Sequence, residues 1–89
     1  MSNLFIEDDA VQFIKDELAK TEKKAVRIFL SGGGCCPRLE IRPTDRALSG
    51  DVTYNKYDIT FHIEKDLVMY SSSINVRFNE KRGLLIHLT

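Results

Sequence analysis

The chain has two cysteines, and they are adjacent: Cys35 and Cys36, within the segment GGGCCPR. Neighbouring thiols support two kinds of chemistry. As thiolates they ligate soft metals and iron–sulfur clusters, and as a dithiol they exchange with disulfides. Because adjacent residues of a regular strand point to opposite faces, the pair can act together only where the strand has ended. Joint chemistry of the two thiols therefore depends on the backbone conformation of this segment.

The residues around the pair predict a loop between two strands. Glycine adopts backbone angles that are closed to other residues, and the residue before a proline is pushed towards an extended conformation. The expected supporting residues are Gly32, Gly33, Gly34, Pro37 and Arg38. A loop of this kind presents both thiols to solvent or to a partner.

A disulfide between the two cysteines would be strained. Neighbouring Cα atoms lie about 3.8 Å apart across a trans peptide, whereas ordinary disulfides span roughly 4.4–6.8 Å. Such a bond is easily reduced, which suits a redox switch better than a structural link. Arg38 is close in sequence and would favour the reactive thiolate of either cysteine.

Metal binding needs more ligands than this pair supplies, since a tetrahedral site takes four. The two histidines, His62 and His87, fall on the polar faces of strand patterns, where a surface histidine is the usual outcome. A symmetric dimer would instead bring together four thiolates from two copies of Cys35 and Cys36, the number that an iron–sulfur cluster uses.

Size and charge narrow the remaining possibilities. The chain has 89 residues, so we expect a single domain over 1–89 with a modest core that pairing with a second copy would help. Thirteen basic and thirteen acidic residues give zero net charge, which argues against nucleic acid as a partner. We expect neither a membrane span nor a signal peptide, and hence a cytoplasmic protein.

The hydrophobic periodicity predicts one helix on a β-sandwich. Apolar residues at helical spacing run from Ala10 to Lys20, after an acidic start that suits a helix N-terminus. The period then changes to two, which is typical of strands with one buried face. The predicted strands are centred on Ile28, Leu39–Ile41, Phe61, Val76 and Ile86, with an edge strand at Leu4–Ile6 and one more short strand possible at Asp51–Lys56. The fold class is mainly β (α+β), with mostly antiparallel strands.

The order of these elements resembles the HesB-like family, also called A-type iron–sulfur carriers. The resemblance covers nearly the whole chain, from the helix at Ala10–Leu18 through the strand Val26–Ser31 that runs into the Gly-Cys loop, to the last two strands. It implies a compact β-sandwich, a dimer or higher assembly, and binding of iron or an iron–sulfur cluster for delivery to assembly or client proteins.

Only one of the family's three cysteine ligands has a match in this sequence. Cys35 matches the family's loop cysteine, but the family's two further ligands, in a Cys-Gly-Cys tail, have no match in the residues up to Thr89. The loop reads Cys35-Cys36-Pro37 instead of Cys-Ser-Gly, and resembles a HesB-related subgroup with a Cys-Cys or Cys-selenocysteine pair. That subgroup implies redox chemistry.

Three functions stay open at this point. Cys35 and Cys36 could be metal or cluster ligands whose shell is completed by a second copy or an outside thiol. They could be a redox pair served by a thiol reductant, with no metal. The domain could also be an interaction module that has kept the fold and lost the metal site.

Overall fold

The computed structural model describes residues 3–32 and 38–89, which form two β-sheets with two helices. The elements in chain order are β1 (Asn3–Ile6), α1 (Asp8–Thr21), β2 (Ala25–Ser31), β3 (Arg38–Thr44), β4 (Val52–Lys56), β5 (Ile59–Ile63), α2 (Lys65–Tyr70), β6 (Ser73–Asn79) and β7 (Gly83–Leu88). The predicted mainly β fold with an N-terminal helix is confirmed, and so is the short strand at Asp51–Lys56, which is β4.

Sheet A has the strand order β1-β6-β7 and sheet B the order β3-β2-β5-β4. Three pairings are antiparallel: β2 with β3, β4 with β5, and β6 with β7. Two are parallel, β1 with β6 and β2 with β5. In both cases other elements lie between the paired strands, so the chain can return and run in the same direction. The sheets are therefore mixed, with antiparallel pairs in the majority.

The core lies between the sheets and is built from alternate residues of the inner strands. Ile59, Phe61 and Ile63 of β5 are buried, and Ile74 and Val76 of β6 face them from the other sheet. The period-two pattern in the sequence thus predicted the correct face of each inner strand.

Helix α1 behaves as its sequence predicts. Asp8 and Asp9 occupy its first turn, where carboxylates interact favourably with the positive end of the helix dipole. Ala10 and Ile14, one turn apart, are its fully buried residues. Phe13 stacks on Phe78 of β6, with ring centroids 4.9 Å apart.

Helix α2 was not predicted. It has six residues, and its two buried side chains, Leu67 and Val68, are neighbours in sequence. A single turn and a half gives too few positions to reveal a helical period. Its acidic residue in the first turn, Asp66, is the one signal of a helix start that the sequence offers.

The two lateral sides of the sandwich differ. On the side formed by β1 and β4, the Nζ atom of Lys56 donates a hydrogen bond to the carbonyl of Leu4 and so links the two sheets. We call this the closed side. On the side formed by β3 and β7, the core-facing residues of both strands are only half-buried. We call this the open side.

Candidate functional site

The segment that carries the thiols joins β2 to β3, at the end of a two-stranded arm. β2 pairs with β5 only as far as Ile28, opposite Ile63, whereas its pairing with β3 continues to Ser31, opposite Arg38. Three further residues at about 3.3 Å each project this arm roughly 10 Å beyond the end of β5. Leu30, on the arm, is 42% exposed.

Cys35 and Cys36 themselves, with Gly33, Gly34 and Pro37, lie outside the described residues, so their predicted roles stay predictions. The two residues that flank this segment are described. Gly32 has φ +80°, a left-handed conformation that the strand needs in order to turn and that favours glycine. Arg38, the first residue of β3, is exposed.

The outer face of the arm carries a small charged network. The carboxylate of Glu40 accepts a hydrogen bond from Arg42, at 2.9 Å, and interacts with the hydroxyl of Ser31. The hydrogen bond from Ser31, followed by that from Arg42, lowers the pKa of Glu40 below its usual value, and the positive charge of Arg38 acts in the same direction. Glu40 therefore stays ionised at neutral pH and balances the two arginines of β3.

A buried ion pair holds the base of the arm. Arg27, the one charged residue of β2, donates two hydrogen bonds to Asp51, at 2.7 and 3.0 Å. Their side chains are 14% and 2% exposed, and Glu64 lies 3.8 Å from the same guanidinium. The hydrogen bonds from Arg27, aided by the N–H of Leu48, lower the pKa of Asp51 against the opposing effect of burial.

This ion pair has a topological role. β3 and β4 lie at opposite edges of sheet B, so the segment 45–51 that joins them crosses the sheet's outer face. Asp51 fixes its far end to Arg27 of β2, while the backbone N–H of Asp51 closes a turn on the carbonyl of Leu48. Sequence reasoning missed this contact, although a single charge inside the apolar strand AVRIFLS was a signal for it.

The structure separates the two histidines. His62 alternates with the buried Phe61 and Ile63, so it lies on the outer face of sheet B, where its Nδ1 is 2.9 Å from the hydroxyl of Thr53. His87 lies on the outer face of sheet A and is exposed. Because the sheets face each other across the core, these outer faces are opposite, and the two rings cannot share one ion.

Within residues 3–32 and 38–89, no group of three or more histidine, cysteine, aspartate or glutamate side chains is arranged to hold a metal ion. Over the same residues, neither helix has the length and apolar character needed to cross a membrane.

No protein-family model and no curated protein matches this sequence. Solved structures do. SufA from Escherichia coli, described as involved in the biosynthesis of iron–sulfur clusters, matches 97% of this chain and 80% of its own with a TM-score of 0.77 at 15% identity. IscA, solved with a [2Fe-2S] cluster, matches 96% of this chain and 84% of its own with a TM-score of 0.71 at 12% identity.

A protein from Aquifex aeolicus, whose structure was determined in solution, matches the whole of this chain and 97% of its own, with a TM-score of 0.67 and 16% identity. At these identities the likeness concerns the backbone arrangement. It extends over nearly the whole length of this chain. The chain therefore has the fold of SufA and IscA, the fold expected from its resemblance to the HesB-like family.

Proposed function

We propose that this chain is a HesB-like protein that binds iron or an iron–sulfur cluster as cargo through Cys35 and Cys36 and passes it to other proteins. The observation that carries the proposal is a combination: a fold shared over 97% of the chain with SufA, and the chain's only two thiols in the segment that follows β2. Each observation alone is weaker, because one fold hosts many functions and a thiol pair has several uses.

The donor set fits such a cargo in part. Thiolates are the ligands that iron–sulfur clusters use, and four complete a small cluster. This chain offers two thiols, and its described residues hold no separate group of three or more metal-ligating side chains. The missing ligands would come from a second copy or from a thiol of a partner protein, and an incomplete shell of this kind favours transfer over permanent storage.

The arm suits the delivery of cargo. It projects beyond β5, so a partner can approach the segment between Ser31 and Arg38 without displacing the core strands. The exposed guanidinium of Arg38 would stabilise nearby thiolates, the form that binds metal. We place the protein in the cytoplasm, with homo-oligomers and assembly or client proteins as its partners.

The test is anaerobic purification followed by iron and sulfide analysis and an absorption spectrum. We expect iron and sulfide in the wild type and neither in the double variant Cys35→Ser/Cys36→Ser. The matched control is Met69→Ser, which removes an exposed sulfur from α2 and should leave the cargo unchanged. A colourless wild type that also fails to take up iron and sulfide on reconstitution would contradict the proposal.

A second candidate function is thiol–disulfide exchange, favoured by the adjacency of the two cysteines and by the incomplete ligand set. One thiolate would attack a disulfide of an oxidised partner, forming a mixed disulfide and releasing one partner thiol. The second thiol, as thiolate, would then attack the mixed disulfide, forming the Cys35–Cys36 bond and releasing the other partner thiol. The partner is reduced by two electrons and the pair is oxidised by two, until a thiol reductant restores it.

The single variants separate the two functions. In a redox pair, loss of the resolving cysteine traps the mixed disulfide, whereas loss of the attacking cysteine abolishes reaction. In a cargo site, either Cys35→Ser or Cys36→Ser lowers the iron content without trapping a partner. A double variant that retains the protein's function in cells, with no iron and no redox couple in the wild type, would instead indicate an interaction module.

A further inference from the structure

The outer faces of the two sheets differ in how their charges are compensated. On sheet B, Arg27 is paired with Asp51. Its neighbour on the next strand, Arg42, is paired with Glu40. On sheet A the central strand β6 carries the exposed Arg77, which forms no ion pair with any residue of the described ranges 3–32 and 38–89. The strands β1, β6 and β7 contain no aspartate or glutamate, so sheet A itself supplies no carboxylate for this guanidinium.

Arg77 lies between two cavities on the outer face of sheet A. The first, of about 220 Å³, extends from Arg77 and Asn75 across β1 to the hairpin that joins β4 to β5. The second, of about 360 Å³, lies over β7 and is lined by Leu85 and His87. Arg77 lines both, so the two cavities form one depression across the three strands, which we call the trough.

The trough has an apolar surface on each side of Arg77. Phe5 of β1 and Tyr57 of the β4–β5 hairpin line the first cavity, and each is 53% exposed. Leu85 of β7 lies directly opposite Arg77 in the register and lines the second cavity, with 40% of its surface exposed. Large apolar side chains exposed around one cavity, with polar groups among them, indicate a binding surface.

The charges around the trough favour an anionic ligand. The ammonium group of Lys56 lies 5.8 Å from the centroid of the Phe5 ring, so a second cation borders the first cavity. Glu7 lines the same cavity and offsets one of these two cations, and His87 is exposed in the second cavity. The trough therefore has an excess of positive charge, although the net charge of the protein is zero.

The backbone of Tyr57 gives an independent indication of function. The two-residue turn between β4 and β5 consists of Tyr57 and Asp58, with φ values of +54° and +62°. Asparagine and glycine are common in such a turn, whereas a bulky residue with positive φ is strained. Strained residues occur preferentially at functional sites. The turn itself does not require a tyrosine, and a role for the ring of Tyr57 in the first cavity accounts for one.

We propose that the trough binds a segment of another protein in which an aspartate or glutamate is flanked by apolar residues. The carboxylate of this segment accepts two hydrogen bonds from the guanidinium of Arg77, the geometry in which these two groups match best. One flanking side chain contacts Phe5 and Tyr57, and the other contacts Leu85. β1 and β7 lie about 10 Å apart across the sheet, a distance that three or four extended residues cover.

The charges favour this occupant over two others. A second copy docking through the same face would bring two uncompensated Arg77 side chains together, and like charges facing each other weaken an interface. A nucleic acid strand is held through many phosphate contacts, whereas Glu7 repels phosphate and leaves few cations in the trough to bind it. An acidic segment with apolar flanks needs one central cation and apolar contacts around it, which the trough supplies.

This binding site goes beyond the proposed function and does not depend on it. The thiols belong to the segment that joins β2 to β3 in sheet B, whereas the trough lies on the outer face of sheet A. Binding of the acidic segment needs neither iron nor the thiols. The variant Cys35→Ser/Cys36→Ser should therefore bind it as tightly as the wild type does.

The test is a titration of the isotope-labelled protein, followed by the chemical shifts of its backbone amides. The probe is the pentapeptide Gly-Phe-Glu-Leu-Gly with blocked termini, and its matched control has glutamine in place of glutamate. We expect saturable shifts at Phe5, Arg77 and Leu85 with the glutamate peptide, and about tenfold weaker binding of the glutamine peptide. Arg77→Gln should cause the same tenfold loss, whereas Arg46→Gln, which removes an exposed arginine outside the trough, should cause none.

Tyr57→Asn separates a role in binding from a role in folding. Asparagine suits the turn, so the melting temperature should stay the same or rise, while the glutamate peptide should bind about fivefold more weakly. Tyr70→Asn, which removes an exposed tyrosine from α2, is the matched control and should leave binding unchanged.

Three results with the peptides overturn the proposal: equal affinity for the two peptides, shifts that cluster outside the trough, or no shifts in the wild type with either peptide. Shifts of the same amides on raising the protein concentration alone also overturn it, since the occupant would then be a second copy. Tighter binding of a deoxythymidine decamer than of the glutamate peptide overturns it in favour of nucleic acid.

Discussion

The closed and open sides of the sandwich are built from strands with similar hydrophobic patterns, yet their edge strands differ in burial. The core-facing residues of β1 are buried, whereas those of β7 are half-buried. On the closed side Leu4 of β1 is buried and Lys56 covers its carbonyl. On the open side Leu84 and Ile86 of β7 repeat the same alternation but remain half-buried. The period of a strand thus determines which face is apolar, while the neighbouring edge determines whether that face is covered.

The largest difference between the sides should appear when leucine is truncated on each. Leu4→Ala removes a fully buried side chain and should lower the free energy of unfolding by about 3 kcal/mol, since a cavity remains. Leu84→Ala, at a half-buried site, should cost about 1 kcal/mol. Urea unfolding at low protein concentration measures both, and equal costs would mean that the open side is already covered in the monomer.

The next largest effect on stability concerns the segment 45–51, which joins β3 on the open side to β4 on the closed side. Asp51→Asn leaves Glu64, 3.8 Å away, as the carboxylate nearest the guanidinium of Arg27 among the described residues, and should cost about 2–3 kcal/mol, the range for hydrogen bonds to charged groups. Asp45→Asn removes the exposed pair with Lys23 and should cost less than about 1 kcal/mol. Matching losses in the two variants would show that burial of the Arg27–Asp51 pair adds nothing.

Acid should remove the same contribution. The pKa of Asp51 is lower in the folded protein than in the unfolded chain, so its stabilising effect is complete above the ordinary aspartate pKa of about 3.9. That effect is lost as the pH falls through the folded-state value. The difference in unfolding free energy between the wild type and Asp51→Asn should therefore shrink below about pH 4. A difference that stays constant from pH 6 to strongly acidic conditions would argue against this assignment.

The smallest effect concerns Lys56, whose ammonium group covers the carbonyl of Leu4 at the edge of β1. Lys56→Met keeps the length of the side chain but removes the donor to Leu4, and should cost about 1 kcal/mol. It should also make the closed side pair with other chains, which light scattering would detect as concentration-dependent association. Lys20→Met, on an exposed helix position, is the control and should leave both properties unchanged.

The fold could be predicted from the sequence because apolar and polar residues alternate along the inner strands. Phe61 and Ile63 alternate with polar residues, and only one face of β5 can be buried. Helix α2 escaped prediction because one and a half turns contain no measurable period. The hairpin between β4 and β5 also lacks the usual signal, since Tyr57 and Asp58 both have positive φ where glycine or asparagine is common.

In the candidate site, too, one feature could be predicted from the sequence and another could not. The thiol pair was visible because its residue type is rare and its spacing is unusual. The Arg27–Asp51 pair was not, because it joins residues 24 positions apart whose meeting depends on the order of strands in sheet B. Strand order follows from the whole of the core and leaves no local trace in either segment.

The arm of β2 and β3 has one consequence for local opening. Beyond Ile28, β2 is hydrogen-bonded to β3 alone, because its pairing with β5 ends at Ile63. Separating these last pairs breaks few contacts and leaves the core strands in register, so it requires far less free energy than unfolding the domain. Amide protons of Phe29 and Ser31 should then exchange with solvent through this partial opening, well before those of β5. The two thiols would thus be attached to the part of sheet B that opens most readily.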